Sequence, residues 1–382
     1  MLVDRQLSKT IQETKKSILL LGPRQTGKST LLKGLSPDLV INLADEIQYF
    51  NHLRNTELIK ELTTQKKIIL VDEIQRIPSL LNTIQVLIDD NPKQRFLLTG
   101  SSARKLRRGN ANLLPGRVIR FELGPLTFLE LGEEEFELKR ALSRGCLPGI
   151  HLDETNDWKA VLNSYVALYL KEEIQAEALT KDIQGFTRFF DVTLSKSGQH
   201  IDFSKYASQA MVERLTARRY FDILIDTLVV EEVLPFSKSA TRRLVQHPKF
   251  YCFDVGVLNS ILGSYSLAQD RIGNLFEHFI FQQIRSLQKN LGFDMRISSY
   301  RTEDQLEVDF VVERKTDVYA IEVKASRNVG VHDLKGLKSF QNYFGKKLNS
   351  WVLYLGTETR ELQGGIEILP WQKGLKQLFE IP

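Results

Sequence analysis

Residues Gly22 to Ser29 read Gly-Pro-Arg-Gln-Thr-Gly-Lys-Ser, a full-length G-x-x-x-x-G-K-[ST] string. The chemistry such a string serves is phosphate binding. Its glycines let successive backbone N–H groups curl around an oxyanion, Lys28 reaches the β and γ oxygens, and the Ser29 hydroxyl completes the oxygen shell of Mg²⁺. Gly22, Pro23, Arg24, Gln25, Thr26, Gly27, Lys28, Ser29 and Thr30 are therefore the expected ATP-binding residues, with Lys28 also catalytic. An apolar run, Ser17 to Leu21, precedes the string and another, Thr30 to Leu32, continues it, the strand-before and helix-after context that a plain tight turn does not require.

A second pattern supplies acids. Lys66-Lys67-Ile68-Ile69-Leu70-Val71-Asp72-Glu73 reads as a buried strand ending in two carboxylates, and ligand chemistry gathers at the C-terminal edge of parallel strands. Asp72 is expected to bind Mg²⁺ through water and Glu73 to orient and polarise the attacking water. Two acids there also suit a bare helix N-terminus. In Arg95-Phe96-Leu97-Leu98-Thr99-Gly100-Ser101-Ser102, a strand runs into hydroxyl residues. Ser101 is the expected γ-phosphate sensor, with Thr99 and Ser102 beside it, and a turn or N-cap serine is the alternative. Arg117, after Leu114-Pro115-Gly116, is expected to reach a neighbouring subunit's nucleotide and stabilise transition-state charge, the alternative being a surface arginine after a turn.

The last third holds another constellation: Glu277, Asp309, Glu322 and Lys324. The runs around Asp309 and Glu322 are joined by the polar turn Arg314–Asp317 and read as a hairpin. Alternation puts Glu322 and Lys324 on one side, with Ile321 and Val323 on the opposite, packed side. Glu277 lies one and two helical turns from Phe281 and Ile284, so its carboxylate points toward an apolar flank and needs a partner, of which a metal is one. An exposed face with a cross-strand ion pair gives the same residues.

These residues must be carried by elements. Apolar runs at Ile18–Leu21, Leu39–Leu43, Ile68–Val71, Phe96–Leu98 and Val118–Phe121 alternate with helical spacing or turns, as in a parallel sheet with helices on both faces. Trp158–Lys171 then spaces Val161, Leu162, Tyr165, Val166, Leu168 and Tyr169 as a buried helical face. Two helical segments follow in Phe203–Val233, then two strand-like runs around a basic tip, Lys238–Arg243. The 382 residues, 42% hydrophobic and 26% charged, fit a globular chain of two or three domains. The fold class expected is α/β: a P-loop parallel-sheet ATPase domain over 1–150, a helical, winged-helix-like module over 151–262 and a C-terminal α/β domain over 263–382. A net charge of +5 permits a polyanionic partner without demanding one. Cys146 and Cys252 stand far apart, which excludes a disulfide framework or a zinc pattern and suits a reducing cytoplasm. No signal-like start or membrane-length apolar run is found, so no membrane partner is expected.

Three resemblances follow from these strings. Gly-Pro-Arg-Gln-Thr-Gly-Lys-Ser, Val-Asp-Glu-Ile-Gln, Leu-Thr-Gly-Ser-Ser, Leu-Pro-Gly-Arg and Gly-Pro-Leu-Thr-Phe-Leu-Glu-Leu make residues 1 to about 150 resemble AAA+ P-loop ATPases, in the prokaryotic branch whose members carry a C-terminal domain of unknown function. This implies ATP and Mg²⁺ as cofactors and a homo-oligomer with Arg117 supplied in trans. The chain departs from that pattern in lacking a clear second sensor arginine in a lid domain, for which Arg140 and Arg144 are only candidates. The middle module resembles a winged helix-turn-helix, which implies that Arg214, Arg218, Arg219, Arg242 and Arg243 contact DNA phosphates; a protein-contact or lid element is the alternative. The C-terminal domain resembles the restriction-endonuclease-like PD-(D/E)xK superfamily. By that resemblance Asp309 and Glu322 bind Mg²⁺, Glu277 supports the metal, and Lys324 holds or activates the attacking hydroxide. The function expected is ATP hydrolysis coupled to Mg²⁺-dependent binding or cleavage of DNA. The alternatives are a nucleotide-dependent switch or scaffold that cuts nothing, and a transcriptional regulator acting through the winged helix.

Overall fold

The five apolar runs of the first third become five parallel strands: β1 (Ser17–Leu21), β2 (Leu39–Asn42), β3 (Ile68–Asp72), β4 (Arg95–Gly100) and β5 (Val118–Glu122). They are arranged in space as β2-β3-β4-β1-β5. The computed structural model describes residues 3–101, 114–155, 157–170, 182–236 and 247–382. Every residue of β1 is buried, as are Ile69 to Asp72, because helices cover both faces. Each such aliphatic side chain contributes roughly 1.5–3 kcal/mol by leaving water. On one face α2 (Lys28–Lys33) and α1 (Leu7–Glu13) pack Leu7, Ile11 and Leu32 against Ile18, Leu20, Leu70 and Leu97. On the other, α5 (Leu80–Asp90) packs Leu80, Leu81 and Ile84 against Leu19, Val71, Phe96 and Leu98. Helices α3 (Glu46–Arg54) and α4 (Leu58–Thr63) connect β2 to β3.

The strand order is what assembles a site. Since β4 lies between β1 and β3, the end of β4 separates the loop after β1 from the acids after β3. All three C-terminal edges therefore meet at one rim.

Past β5, helices α6 (Leu138–Arg144), α7 (Pro148–His151) and α8 (Trp158–Ser164) follow, and α8 continues as a π-helical stretch, Tyr165–Leu170. Leu162, Tyr165 and Val166 are buried as their spacing predicts. Val161, expected on that same face, is 38% exposed, because residues one apart on a helix point about 100° from each other. Next come α9 (Ile183–Leu194), α10 (Phe203–Ala210) and α11 (Arg214–Asp226), which interlock Phe186, Phe189, Tyr206, Tyr220 and Phe221. Met211 turns the chain between α10 and α11 in the left-handed region, φ 54°. Strands β6 (Val230–Pro235) and β7 (Lys249–Cys252) then pair antiparallel. The basic tip expected between them, with Arg242 and Arg243, lies outside the described residues, as does Ser102.

The C-terminal third opens with α12 (Val255–Ile261) and the 23-residue α13 (Gln269–Leu291). Then β8 (Met295–Arg301), β9 (Glu307–Arg314) and β10 (Asp317–Lys324) form an antiparallel run, α14 (Lys335–Phe344) crosses over, and β11 (Asn349–Tyr354) returns parallel to β10. The sheet is longer than the sequence suggests. It gains β12 (Arg360–Leu362) and β13 (Ile366–Pro370) at one edge, β6 and β7 at the other, and is followed by α15 (Trp371–Leu378). Through Leu234–Ser298 and Pro235–Ser299 the β6–β7 hairpin is continuous with this sheet. Leu126, Phe128 and Leu142 also pack with Phe276, Phe279 and Trp371 in one core, so the segment after β5 is clasped by the C-terminal region.

Candidate functional site

The loop after β1 has the backbone its glycines permit. Gly27 holds φ +90°, a conformation side chains rarely adopt, and a Cβ on Gly22 would lie 2.2 Å from the Leu123 carbonyl oxygen. Lys28 donates to the Gly22 and Pro23 carbonyls, both at 2.9 Å, so its ammonium caps the loop rather than extending into solvent. Thr26 donates to Pro23 at 2.8 Å and closes the curl. Ser29, in the first turn of α2, donates to Asp72 Oδ1 at 2.7 Å. Hydroxyl and carboxylate, both hard oxygen donors, therefore converge from β1 and β3, the donor chemistry that suits Mg²⁺.

Glu73 follows in the left-handed region, φ 59° and ψ 44°, an uncommon conformation for a side-chain-bearing residue and one that clusters at functional sites. It turns the carboxylate toward the loop, 4.0 Å from the Arg24 guanidinium. Thr99 fixes the pair from β4: its hydroxyl donates to Asp72 and accepts from the Glu73 backbone N–H at 3.0 Å. Ser101, the expected sensor, reaches Glu73 only through Gln75, whose amide donates to Ser101 Oγ at 3.0 Å and to the Glu73 carboxylate. Thr99 thus contacts the acids directly, and Gln75 is a site residue the sequence reading missed, although it stands in the same Val-Asp-Glu-Ile-Gln string.

A cavity of about 690 Å³ adjoins the loop, bounded by Gly27, Thr30, Val3, Arg5, Pro148 and Asp153 among others. Arg5 is its main unforeseen feature. Buried, it donates to the Thr26 carbonyl at 2.6 Å, to Gly124 at 2.9 Å and to Glu130 at 2.9 Å. Glu130 also accepts from Thr127 N–H at 2.9 Å and from Asn290 of α13 at 3.1 Å. The Gly124–Leu131 string accordingly ties the phosphate loop to the C-terminal helix. Arg140 and Arg144 of α6 both donate to the Asp153 carbonyl at 3.2 Å and brace the cavity wall.

Arg117 stands elsewhere. Val118 pairs with Ser17 at the start of β1, so Arg117 lies at the opposite end of the strands from the loop, in a two-pronged pair with Asp89 at 2.8 and 2.9 Å. Arg214, Arg218 and Arg219 line an exposed side of α11, and Arg218 stacks over Phe203 at 5.0 Å.

The C-terminal residues do come together. The β9–β10 ladder ends at Phe310–Ile321, and just beyond it Asp309 Oδ2 accepts from the Val323 N–H at 2.8 Å. Lys324 donates to Glu322 Oε1 at 2.8 Å, while Glu322 Oε2 is buried with no hydrogen-bond partner. Burial, reinforced by Glu277 and Glu322, holds the Asp309 carboxyl well above its ordinary range. Burial likewise pushes Glu322 to about 7, against the pull of Lys324. Glu277 has one oxygen already engaged. Its Oε1 accepts from Lys249 at 2.7 Å and from the Tyr251 hydroxyl at 2.6 Å, and Lys249 also donates to Glu307 at 2.8 Å. Among the described residues no three His, Cys, Asp or Glu side chains are arranged to hold a metal by themselves. In donor type, Asp309 and Glu322 suit a divalent cation, and Glu277 is engaged by an ammonium.

Three sequence families divide the chain between them. Residues 14–132 match one described as AAA domain, 135–267 a domain of unknown function (DUF8612) and 272–373 a domain of unknown function (DUF4143). An uncharacterized protein of Mycobacterium tuberculosis is 29% identical over 313 residues, 80% of this chain and 70% of its own length. One of Haemophilus influenzae is 21% identical over 385 residues, 92% of each. Among solved structures, replication initiator DnaA bound to AMPPCP and single-stranded DNA overlaps with a TM-score of 0.29 at 13% identity, covering 58% of this chain and 86% of that one. A DNA polymerase III gamma subunit-related protein of Thermotoga maritima overlaps at 0.24 and 11%, covering 90% and 93%. With the phosphate loop, the paired acids and the parallel sheet in place, residues 14–132 match the AAA-domain family and have the fold of a P-loop nucleotide-binding domain, in a chain whose other two segments match families of unknown function.

Proposed function

We propose that this chain hydrolyses ATP at the rim of β1, β3 and β4 and couples that cycle to binding or cutting DNA. The observation that carries the first half is the Ser29–Asp72 hydrogen bond at 2.7 Å, beneath a loop capped by Lys28 and beside Glu73. In this reading residues 22–30 bind the phosphates and the neighbouring cavity takes the nucleoside. Ser29 and Asp72 would hold Mg²⁺, which would supply neutralisation of phosphate charge. Glu73 takes the proton of the attacking water, Arg24 and Gln75 hold Glu73, and Thr99 with Ser101 report the state of the γ-phosphate. Arg117, at the far end of the sheet, acts across a subunit boundary in a homo-oligomer, exchanging Asp89 for a neighbour's nucleotide.

For the second half, three divisions are proposed: 1–150 as engine, 151–262 as winged-helix-like coupler and 263–382 as nuclease-like domain. The order α9, α10, α11 and the β6–β7 hairpin supports a winged helix, with exposed Arg214, Arg218 and Arg219 offered to DNA phosphates. The order α13, β8–β9–β10, α14, β11 supports a PD-(D/E)xK core. Asp309 and Glu322 would hold a divalent cation, which would supply polarisation of a phosphodiester, and Lys324 would orient the attacking water.

The test pairs the two sites. Lys28→Ala is expected to abolish ATP binding, and Asp309→Ala or Lys324→Ala to abolish Mg²⁺-dependent cleavage of labelled duplex, single-stranded or branched DNA while ATP turnover persists. Cleavage unchanged in those two variants rules the nuclease out. The close approach of Lys249 to Glu277 and Glu307 favours a second reading, a nucleotide-dependent switch whose C-terminal domain grips a partner without cutting. It predicts no cleavage under any metal, with partner binding lost in Lys28→Ala.

A further inference from the structure

Lys249 opens β7, at the seam where the β6–β7 hairpin joins the C-terminal sheet, and is only 2% exposed. A buried ammonium requires anionic partners, and this one has three: Glu277 from α13 at 2.7 Å, and Glu307 and Asp309 from β9 at 2.8 and 3.7 Å. Tyr251, two residues on and so on the same side of β7, donates to the same Glu277 oxygen. The opposite pole of the cluster differs. There Glu322 has one oxygen on Lys324 and one buried oxygen with no partner, and Asp309 has one oxygen on a backbone N–H and the other 3.7 Å from Lys249.

The charges are uneven. When all are ionised, five carboxylates, Glu277, Glu307, Asp309, Glu322 and Asp333, face three permanent cations, Lys249, Lys324 and Arg301. The shortfall is that of one divalent ion, and it lies at Asp309 and Glu322.

We infer that Lys249 is a tethered counter-cation occupying the Glu277–Glu307 pole, so that the C-terminal site holds one divalent ion, at Asp309 and Glu322, and has no room for a second. This rests on the reading of Asp309 and Glu322 as cation ligands. It gives the middle segment a direct part in the C-terminal site, because the lysine comes from the hairpin and not from the nuclease-like core. It also assigns Glu277 to positioning Lys249 rather than to the metal.

The test is a Mn²⁺ titration of the full chain without nucleotide, read by calorimetry or by the loss of free-ion electron paramagnetic resonance. The number of ions lost on the double change Asp309→Asn/Glu277→Gln defines the C-terminal site. One ion is expected in the natural sequence, one in Lys249→Arg, and two in Lys249→Gln, which unmasks Glu277 and Glu307. If Lys249→Gln unfolds, Mn²⁺ is expected to restore its thermal transition, and the double variant Lys249→Gln/Glu277→Gln to fold and bind one ion. Two ions in the natural sequence, or one in a folded Lys249→Gln, overturns the role of Lys249 while leaving the cation site intact. No ion lost on Asp309→Asn in any background overturns the site itself, and the inference with it.

Discussion

At the scale of single residues, the proposed ATP site is organised around Asp72, gripped by Ser29 from the phosphate loop and by Thr99 from β4. Because Thr99 touches Asp72 and the Glu73 N–H, whereas Ser101 reaches Glu73 only through Gln75, the two hydroxyls are not equivalent. Thr99→Val leaves buried partners unsatisfied, at a cost of about 1–3 kcal/mol, and is expected to slow ATP turnover more than Ser101→Ala does. Steady-state phosphate release from the two variants measures this, and the opposite ranking returns the sensor role to Ser101. The loop, the acids and Lys28 were legible in the sequence because each depends on a local string of about eight residues. Arg5, Glu130 and Lys249 were not. Arg5 and Glu130 are 125 positions apart and meet only through the tertiary fold, and Lys249 is one of 52 basic residues with nothing local to mark it as buried.

At the scale of elements, the strand order and the Gly124–Leu131 segment convert strings into geometry. Five strands were legible from their apolar runs: β1, β3 and β4 are covered on both faces and largely apolar, while the edge strands β2 and β5 are partly exposed and keep only a short apolar stretch. The strand β12 and the joining of β6 to β8 were not, because three-residue and two-residue pairings leave too little pattern to read, and β13, which pairs with β11 over five residues, was not read either. The Arg5–Glu130 clamp joins the phosphate loop to α13, both side chains out of water. Breaking such a pair by removing one partner strands the other charge, and Arg5→Ala is expected to cost about 3–5 kcal/mol in a urea melt. A loss under about 1 kcal/mol, the value of a surface pair, shows that the clamp does not hold the loop.

At the scale of the whole molecule, the three segments are joined by shared sheet and core and not by loose tethers, and acid should undo them together. Burial pushes His151, His200 and His278 down to about 4. The unfolded chain takes up protons on these rings below its ordinary 6.5 while the folded chain resists, so their contribution to stability is complete above that value and is lost as pH drops from 6.5 toward 4. Glu231, held near 2 against its burial by Arg285 and Lys289, adds a further loss below 4.5. Because the Asp309 and Glu322 carboxyls, held above their ordinary range, oppose this loss in the same window, the check is an NMR titration of the three rings from pH 8 to 4: each is expected to stay neutral to well below 6.5, and a ring that protonates at 6.5 contradicts its burial. The basic balance and the AAA domain leave the partner to experiment, whereas the engine itself is open to one decisive assay. That assay is release of γ-phosphate by the full chain with Mg²⁺ and ATP in a Glu73→Gln variant. The account predicts ATP binding as in the natural sequence and hydrolysis slowed by about 10²–10⁴-fold, the contribution of a positioned general base. Phosphate release at the natural rate in that variant contradicts it.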